Sequence, residues 1–561
     1  MKLSVKAAML FVALPIAFFG GCWISGKLLF IWFGFDNRQP GLFTWLQYFH
    51  FVNDPRYAAY ATRIKATGVA GLGLSLLLWL GIALDERIDL PRPRVHGDAR
   101  FADSSDLAKA GLTSDDPTGV LIGRLGRTYL RDKGQRFIVL AAPTRSGKGV
   151  GVVVPVLLDY RQNVVVLDIK QENYDLTSGY RRSLGQEVFM FSPFAANGAT
   201  HRWNPLRYVS EHPGQRVGDL RAIAQMLYPD GDGTGNQQFF TDHARNVFLA
   251  LCLYLFESYD QNQSRKRPLP YPTFGQLYRT SAGNGSDLKQ HLSDLAGDDR
   301  LSDVCRTAFA GFLSQAQETF SSIMGTFNAP LTAWADPLLD AATSADDFDL
   351  REVRRRPMSI YLCVSPNKLS QAALVFNLFF SQLINENTKA LPSQDSTLTR
   401  QCLLLMDEFT SIGAVDIIAH AVSYMAGYNL RLLPIIQSMA QLDATYGKER
   451  ARTIITNHAT QIVYAPREQQ DANDYSEMLG YTTVRRRQYT QGKDRSYTEV
   501  EDKRALMLPQ ELKAMGSDRE ILIIEGMAHP ALVDKIRYYQ EDLFTQRLLP
   551  KVQVPILVRE L

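Results

Sequence analysis

A chain of 561 residues, 45% hydrophobic and 21% charged, is long enough for two or three soluble units with sizeable cores. A formal net charge of +3 excludes a globally basic surface, so any nucleic-acid contact must come from a local patch. The five cysteines, Cys22, Cys252, Cys305, Cys363 and Cys402, are scattered and odd in number, and no C-x-x-C or His/Cys cluster suggests a disulfide framework or a zinc site.

Residues 1–95 read as a two-span transmembrane hairpin with a short periplasmic loop and a linker. Ala7–Gly26 carries no charge, and apolar residues continue past Lys27 to Phe35. Ala66–Leu84 is a second uncharged run. Each suffices to cross a hydrocarbon core, which takes about 20 apolar residues. Lys2 and Lys6 precede the first run, and Arg87, Arg92, Arg94 and Arg100 follow the second. Arg38, Arg56, Arg63 and Lys65 lie between or at the edge. The positive-inside bias is mild and places both flanks in the cytoplasm. Trp32, Trp45, Tyr48, Tyr57 and Tyr60 suit an interfacial belt. A cleaved signal peptide, or a lipoprotein site at Phe19–Cys22, would export the rest of the chain; the length of the first run and the presence of a second argue against both. Lys27 either snorkels or faces a neighbouring subunit.

Pro91–Arg94 is a stiff linker. Phe137–Leu140 reads as a buried strand, followed by the turn Ala142–Ser146, then Gly147-Lys148-Gly149 and a new apolar run. Strand, loop and helix start form the context of a phosphate-binding loop, here Pro143, Thr144, Arg145, Ser146, Gly147, Lys148, Gly149 and Val150. Backbone N–H groups would cradle phosphate oxygens, and Lys148 would reach the β- and γ-phosphates. The match to G-x-x-x-x-G-K-[ST] is imperfect. Ala142 replaces the first glycine, and Gly149 replaces the hydroxyl that would hold Mg²⁺. Alone, the segment is equally a Gly-rich turn with one surface lysine.

Val150–Tyr160 should be a buried helix that Pro155 kinks or loosens by a turn. Asn163–Asp168 is a β-branched run ending in an acid, and Glu187–Phe191 is a further strand. Residues 208–320 lose strand-like runs and read as an all-helical insertion. Asp230–Gly235 hints at a calcium loop, but Thr241 stands where the glutamate belongs, so it reads as a flexible loop. Strands resume at Ser359–Val364, Leu403–Met406, Arg431–Ile436, Thr460–Tyr464 and Glu520–Ile524, mostly separated by helices such as Gln371–Asn385. The alternation predicts an α/β fold with a mostly parallel sheet, its two parts at 96–207 and 321–561.

Cys402–Glu408 is an apolar strand ending in two adjacent carboxylates. Asp407 would hold Mg²⁺, with Ser146 as one candidate hydroxyl ligand, and Glu408 would polarise the attacking water. A strand running into an acidic helix cap gives the same pattern. Gln437, at the end of Ile435–Ser438, suits a γ-phosphate sensor or an ordinary polar strand terminus. In Tyr481–Arg504, Arg485, Arg486, Arg487, Lys493, Arg495, Lys503 and Arg504 interleave with Tyr481, Tyr489 and Tyr497. That mixture suits single-stranded nucleic acid, although Glu499, Glu501 and Asp502 dilute it and favour a solvated hairpin or loop.

His96–Ala102, APTRSGKGVGVVVP at Ala142–Pro155, LDIKQEN at Leu167–Asn173, Trp203–Leu206, Ala342–Leu350, Arg355–Val364, Leu403–Phe409 and Ile435–Gly447 together resemble the VirD/TraG-type type IV secretion coupling proteins. Their order and spacing run across nearly the whole chain. The resemblance implies a RecA-like P-loop nucleotide-binding domain and an inner-membrane, ring-forming ATPase, expected to be a homo-hexamer, using ATP and Mg²⁺. It makes Lys148 the phosphate lysine, Asp407 and Glu408 the second carboxylate motif and Gln437 the sensor. Asp168 and Lys170 resemble a strand-end motif near the nucleotide. The helical insertion would recognise substrate. The partners implied are inner-membrane channel components and either secreted effector proteins or a relaxase–DNA complex. A trans-acting arginine is expected, with Arg431, Arg450 and Arg452 as candidates. The competing functions are an FtsK-like DNA pump and a substrate receptor with little ATPase activity.

Overall fold

The computed structural model describes residues 3–35, 37–84, 96–230, 235–264, 269–283, 285, 287–489 and 497–557. The Pro91–Arg94 linker, most of the Asp230–Gly235 loop, and Lys493 and Arg495 lie outside the described residues. Two compact units emerge: Met1–Gly97 with Arg485–Asp502, and Asp98–Val484 with Lys503–Leu561.

In the first unit, helices Leu3–Trp32 and Ala58–Leu84 carry segments, Phe11–Trp32 and Pro55–Gly81, long and apolar enough to cross a membrane. Small residues let them approach closely. A Cβ on Gly71 would lie 2.2 Å from Ser25 Oγ, and one on Gly21 would lie 3.0 Å from Leu72 and Ser75. Trp45 is buried. It donates from Nε1 to the Ile64 carbonyl at 3.0 Å and fills the space a side chain on Gly68 would need. Lys27 extends to the Arg38 carbonyl at 3.5 Å.

The second unit is built on an eleven-stranded sheet. Its strands are β1 (Val120–Leu125), β2 (Thr128–Asp132), β3 (Ile138–Ala141), β4 (Asn163–Ile169), β5 (Glu187–Phe191), β6 (Met358–Val364), β7 (Cys402–Met406), β8 (Leu430–Ile436) and β9 (Thr460–Val463). Strands β10 (Tyr481–Tyr489) and β11 (Tyr497–Ala505) form a separate two-stranded sheet, and β12 (Arg519–Ile524) and β13 (Ala531–Asp534) return to the large one. The order is β2-β1-β13-β12-β9-β3-β8-β7-β4-β6-β5. From β9 to β5 every pairing is parallel, and from β9 to β2 every pairing is antiparallel.

The parallel strands are apolar on both faces because both are covered. Alternate residues of β4 go to different cores. Val164 and Val166 join Leu140, Leu405 and Ile435. Val165 and Leu167 join Phe191, Met406 and the helical region through Phe248, Phe274 and Trp334. That region runs from Pro213–Leu227 through Gly235–Ser264 to Pro337–Ala342. The boundary expected at 320 therefore moves. It falls inside the helix Gln317–Leu331, whose Phe320, Ile323, Phe327 and Leu331 are buried in the same core. Trp334 then stacks on Phe274 with centroids 4.6 Å apart. Strand signals resume only near 358, so sequence periodicity marked no end to the helices.

After the phosphate loop the chain makes a π-helical turn, Gly149–Val153, before the α-helix Val154–Asp159. Pro155 sits in the first turn of that α-helix, where its missing N–H costs nothing, and the loosened turn precedes it.

Candidate active site

Parallel register brings the sequence-predicted residues to one edge. Ala141 pairs with Ile436, Leu167 with Met406, and Met406 with Pro434. Four strand ends therefore stop at the same level: β3 before Pro143–Val150, β4 before Lys170, β7 before Asp407-Glu408 and β8 before Gln437. This is the carboxyl edge, where open parallel sheets take ligands.

The loop is tied at its base by Ala142 N–H donating to the Ile436 carbonyl at 2.9 Å. Arg145 adopts φ 59° and Gly147 φ 86°, which folds the loop back on itself. Pro143 is buried, Thr144, Arg145 and Gly147 are exposed, and Ser146, Lys148, Gly149 and Val150 are half-buried. Lys148 Nζ lies 3.0 Å from Asp407 Oδ1 and 2.5 Å from Glu408 Oε1. Gln437 Nε2 donates to Glu408 Oε2 at 2.6 Å. The four side chains form one connected cluster, although Lys148 and Glu408 are 260 residues apart in sequence. Glu408 holds φ 61°, a conformation non-glycine residues rarely adopt.

The adjacent acids are driven apart electrostatically. Burial pushes the Asp407 carboxyl up, and the Lys148 charge only partly offsets this. Burial also opposes ionisation of Glu408, but Lys148 and the Gln437 amide outweigh it and hold this carboxyl below its ordinary value. Ser146 Oγ is buried with no hydrogen-bond partner among the described residues, and with the Asp407 carboxylate it offers oxygen donors of the kind a hard divalent cation takes.

Asp168 and Lys170 part company. Asp168 is fully buried and caps the helix Glu172–Ser183: Oδ2 accepts the Tyr174 N–H at 2.8 Å, and Oδ1 accepts the Asn173 N–H at 3.3 Å. Burial brings its carboxyl up to about 7. Lys170 is exposed at φ 97°, and its charge helps hold Glu408 low. Of the arginine candidates, Arg431 is withdrawn. It pairs in register with Leu403, at the opposite edge, and is fully buried, donating to the Arg136 and Asp132 carbonyls at 3.0 and 3.2 Å. Arg450 and Arg452 are exposed on Lys448–Thr456, and Arg450 pairs with Asp416 at 2.8 Å.

Arg485, Arg486, Lys503 and Arg504 of the β10–β11 segment have acidic or aromatic partners. Arg485 pairs with Glu501 at 3.1 Å, Arg504 with Glu511 at 2.5 Å, and Lys503 lies 3.7 Å from the Tyr481 ring centroid. Sequence reasoning missed one contact to the loop: Lys535 Nζ lies 3.4 Å from the Ser146 carbonyl oxygen. Its only sequence signal is a lysine closing a short apolar run.

A family model described as "Type IV secretory system Conjugative DNA transfer" matches residues 98–558. The chain belongs to this family. Protein VirD4 of Rhizobium radiobacter is 30% identical over 506 residues, covering 87% of this chain and 70% of that protein. A conjugal transfer protein TraG of Escherichia coli is 26% identical over 553 residues, covering 88% and 84% respectively. Among solved structures, the plasmid coupling protein TrwB in complex with ADP and Mg²⁺ superposes with a TM-score of 0.55 at 16% identity, covering 83% of this chain and 98% of that one. The coupling-protein fold is thus shared by the second unit, with its RecA-like P-loop sheet and helical region.

Proposed function

We propose that this chain is an ATPase coupling protein of the family, anchored in the bacterial inner membrane, that recruits protein or nucleoprotein substrates and passes them to a type IV secretion channel. The observation that carries this reading is Lys148 clamped between Asp407 and Glu408 at the carboxyl edge of the sheet. A structural ion pair would need one acid. Two adjacent acids, displaced to different protonation tendencies and joined to an amide, divide the tasks of ligating and of activating water.

Lys148 is then poised to exchange partners. In this arrangement its ammonium is neutralised by carboxylates; a triphosphate entering the loop offers a more highly charged partner. Release of Glu408 exposes a carboxylate that orients a water in line with the γ-phosphate and accepts its proton as ADP departs. Gln437, already bonded to Glu408, registers whether the γ-phosphate is present. Ser146 and Asp407 would hold Mg²⁺, which neutralises phosphate charge when bound.

On this reading the two apolar helices form a two-span anchor with the bulk of the chain in the cytoplasm. The helical region receives effector proteins or a relaxase–DNA complex. Copies close into a homo-hexamer in which Arg450 or Arg452 reaches a neighbour's nucleotide. Single-stranded DNA, where carried, would meet the β10–β11 segment.

Glu408→Gln tests the proposal. The detergent-solubilised full chain should lose at least about 10³-fold in turnover of radiolabelled ATP while binding ATP as the parent does. Hydrolysis at the parent rate would remove the catalytic assignment.

A further inference from the structure

Beneath the phosphate loop lies a buried polar group that the ATPase reading does not use. Lys535, just after β13, is 7% exposed. Its ammonium lies 3.4 Å from the Ser146 carbonyl oxygen and 3.3 Å from the centroid of the Tyr464 ring. Glu520 of β12 is fully buried nearby, in reach of the Tyr464 hydroxyl. Tyr464 follows β9. A Cβ on Gly151, in the π-helical turn, would lie 2.5 Å from its hydroxyl, and a Cβ on Gly123 would lie 2.6 Å from Glu520 Oε1. Two glycines therefore make room for the group, which fills the space under both the loop and the turn that follows it.

A buried ammonium is costly unless something needs it. The strands beside it carry charge as well as apolar residues: Arg519 pairs in register with Asp534, and Glu520 with Val533. Burial pushes the Glu520 carboxyl up, against the opposing pull of Lys535 and of a hydrogen bond with Tyr464. The group that receives the ammonium is a loop carbonyl. In a phosphate cradle the carbonyls must turn away from the anion so that the N–H groups can face it.

We propose that Lys535 is a second cation of the phosphate loop, a positioning residue that draws the Ser146 carbonyl back and adds positive potential behind the cradle for a nucleoside di- or triphosphate. It acts through the loop and does not touch the reacting atoms. It offers one physical answer to a loop with alanine and glycine, Ala142 and Gly149, where a glycine and a hydroxyl are usual. The inference rests on the nucleotide-binding reading above.

The test titrates the solubilised full chain with ATP and ADP by calorimetry and measures turnover. Lys535→Met should weaken both nucleotides about tenfold or more and raise KM, with kcat within threefold of the parent. Lys535→Arg, which keeps the cation, should bind within threefold. A merely structural residue would lower the melting point without this split between KM and kcat or this rescue. The proposal is overturned if the Met variant binds both nucleotides within twofold of the parent, or if kcat falls with KM unchanged. Should the Met variant not fold, the Arg variant decides, a loss beyond tenfold counting against. A parent that binds no nucleotide sinks the ATPase reading itself; a parent that binds and a Met variant that matches it sinks only this inference.

Discussion

At the amino edge of the parallel strands, Asp132 and Arg431 are fully buried, and Thr460 donates its hydroxyl to Asp132. Arg136 binds Asp132 Oδ1 at 2.8 and 3.0 Å, and Arg431 donates to backbone carbonyls. At the carboxyl edge, Lys148, Asp407 and Glu408 keep 14%, 15% and 26% of their side-chain surface and bind mainly one another and an amide. Backbone strain follows the same division. Of the five non-glycine residues with positive φ among the described residues, Arg145, Lys170, Gln171 and Glu408 lie at the carboxyl edge and Asn429 at the other. Charges held by the backbone cannot change partners without unfolding. Charges held by one another can, once a stronger anion arrives, and strain of this kind concentrates where a site is pre-shaped.

That contrast is broken first at the amino edge. Arg431→Ala should cost about 3 kcal/mol, because two buried carbonyls lose their donor and Asp132 loses a cation. The midpoint of urea unfolding reads the loss. Nucleotide affinity of the folded protein should stay within twofold, since the residue is a whole strand away from the loop. A selective loss of nucleotide binding would mean the two edges are not separable.

Lys148→Ala asks the converse. Nucleotide affinity should fall about 100-fold, equivalent to about 3 kcal/mol. Stability should change by only about 1 kcal/mol, because the abandoned carboxylates can take up water. Calorimetry and the unfolding midpoint on the same preparation separate the two. A large drop in stability with modest loss of binding would make the cluster a structural ion pair.

The carboxyl edge was legible in the sequence because its signals are local. A run such as Asn163–Ile169 or Cys402–Met406 is apolar at every position, so it announces a strand covered on both faces, and the polar residue that follows marks its end. Once the strands are parallel, their ends converge without further information. The helix after the loop was also legible, down to the turn that Pro155 loosens. The amino edge was not, and of the antiparallel strands β1, β2, β12 and β13 only β12 was, as Glu520–Ile524. Thr128–Asp132 ends in Arg131-Asp132, and β12 begins Arg519-Glu520; both look like surface chain, yet Arg131, Asp132 and Glu520 are buried. Sequence displays a charge but not the partner that permits its burial. Arg431 was misplaced for that reason, and Lys535 was passed over for the same one. Asp168 shows a subtler limit. Its position at a strand end was evident, but whether the carboxylate faces a ligand or the next helix depends on the three residues that follow it.

Asp168 also sharpens the comparison, because it is a buried charge of the structural kind at the edge of the exchanging kind. Its folded-state value of about 7 lies above the ordinary 3.8, so between those limits the folded chain binds more protons than the unfolded one. The linkage then runs one way: stability from this group is present at low pH and is lost as pH rises through about 7. Asp168→Asn keeps an acceptor for the Tyr174 and Asn173 N–H groups but cannot ionise. Relative to the parent, the variant should therefore gain stability from pH 5 to pH 8, by about 2–3 kcal/mol, a smaller part of the parent's loss having already occurred between pH 3.8 and pH 5. Parallel unfolding curves at the two pH values measure the slope. A parent and variant that respond identically to pH would show that Asp168 is ionised throughout, held by the helix N-terminus more firmly than its burial opposes, and would move it from the structural side of the contrast toward the ligand.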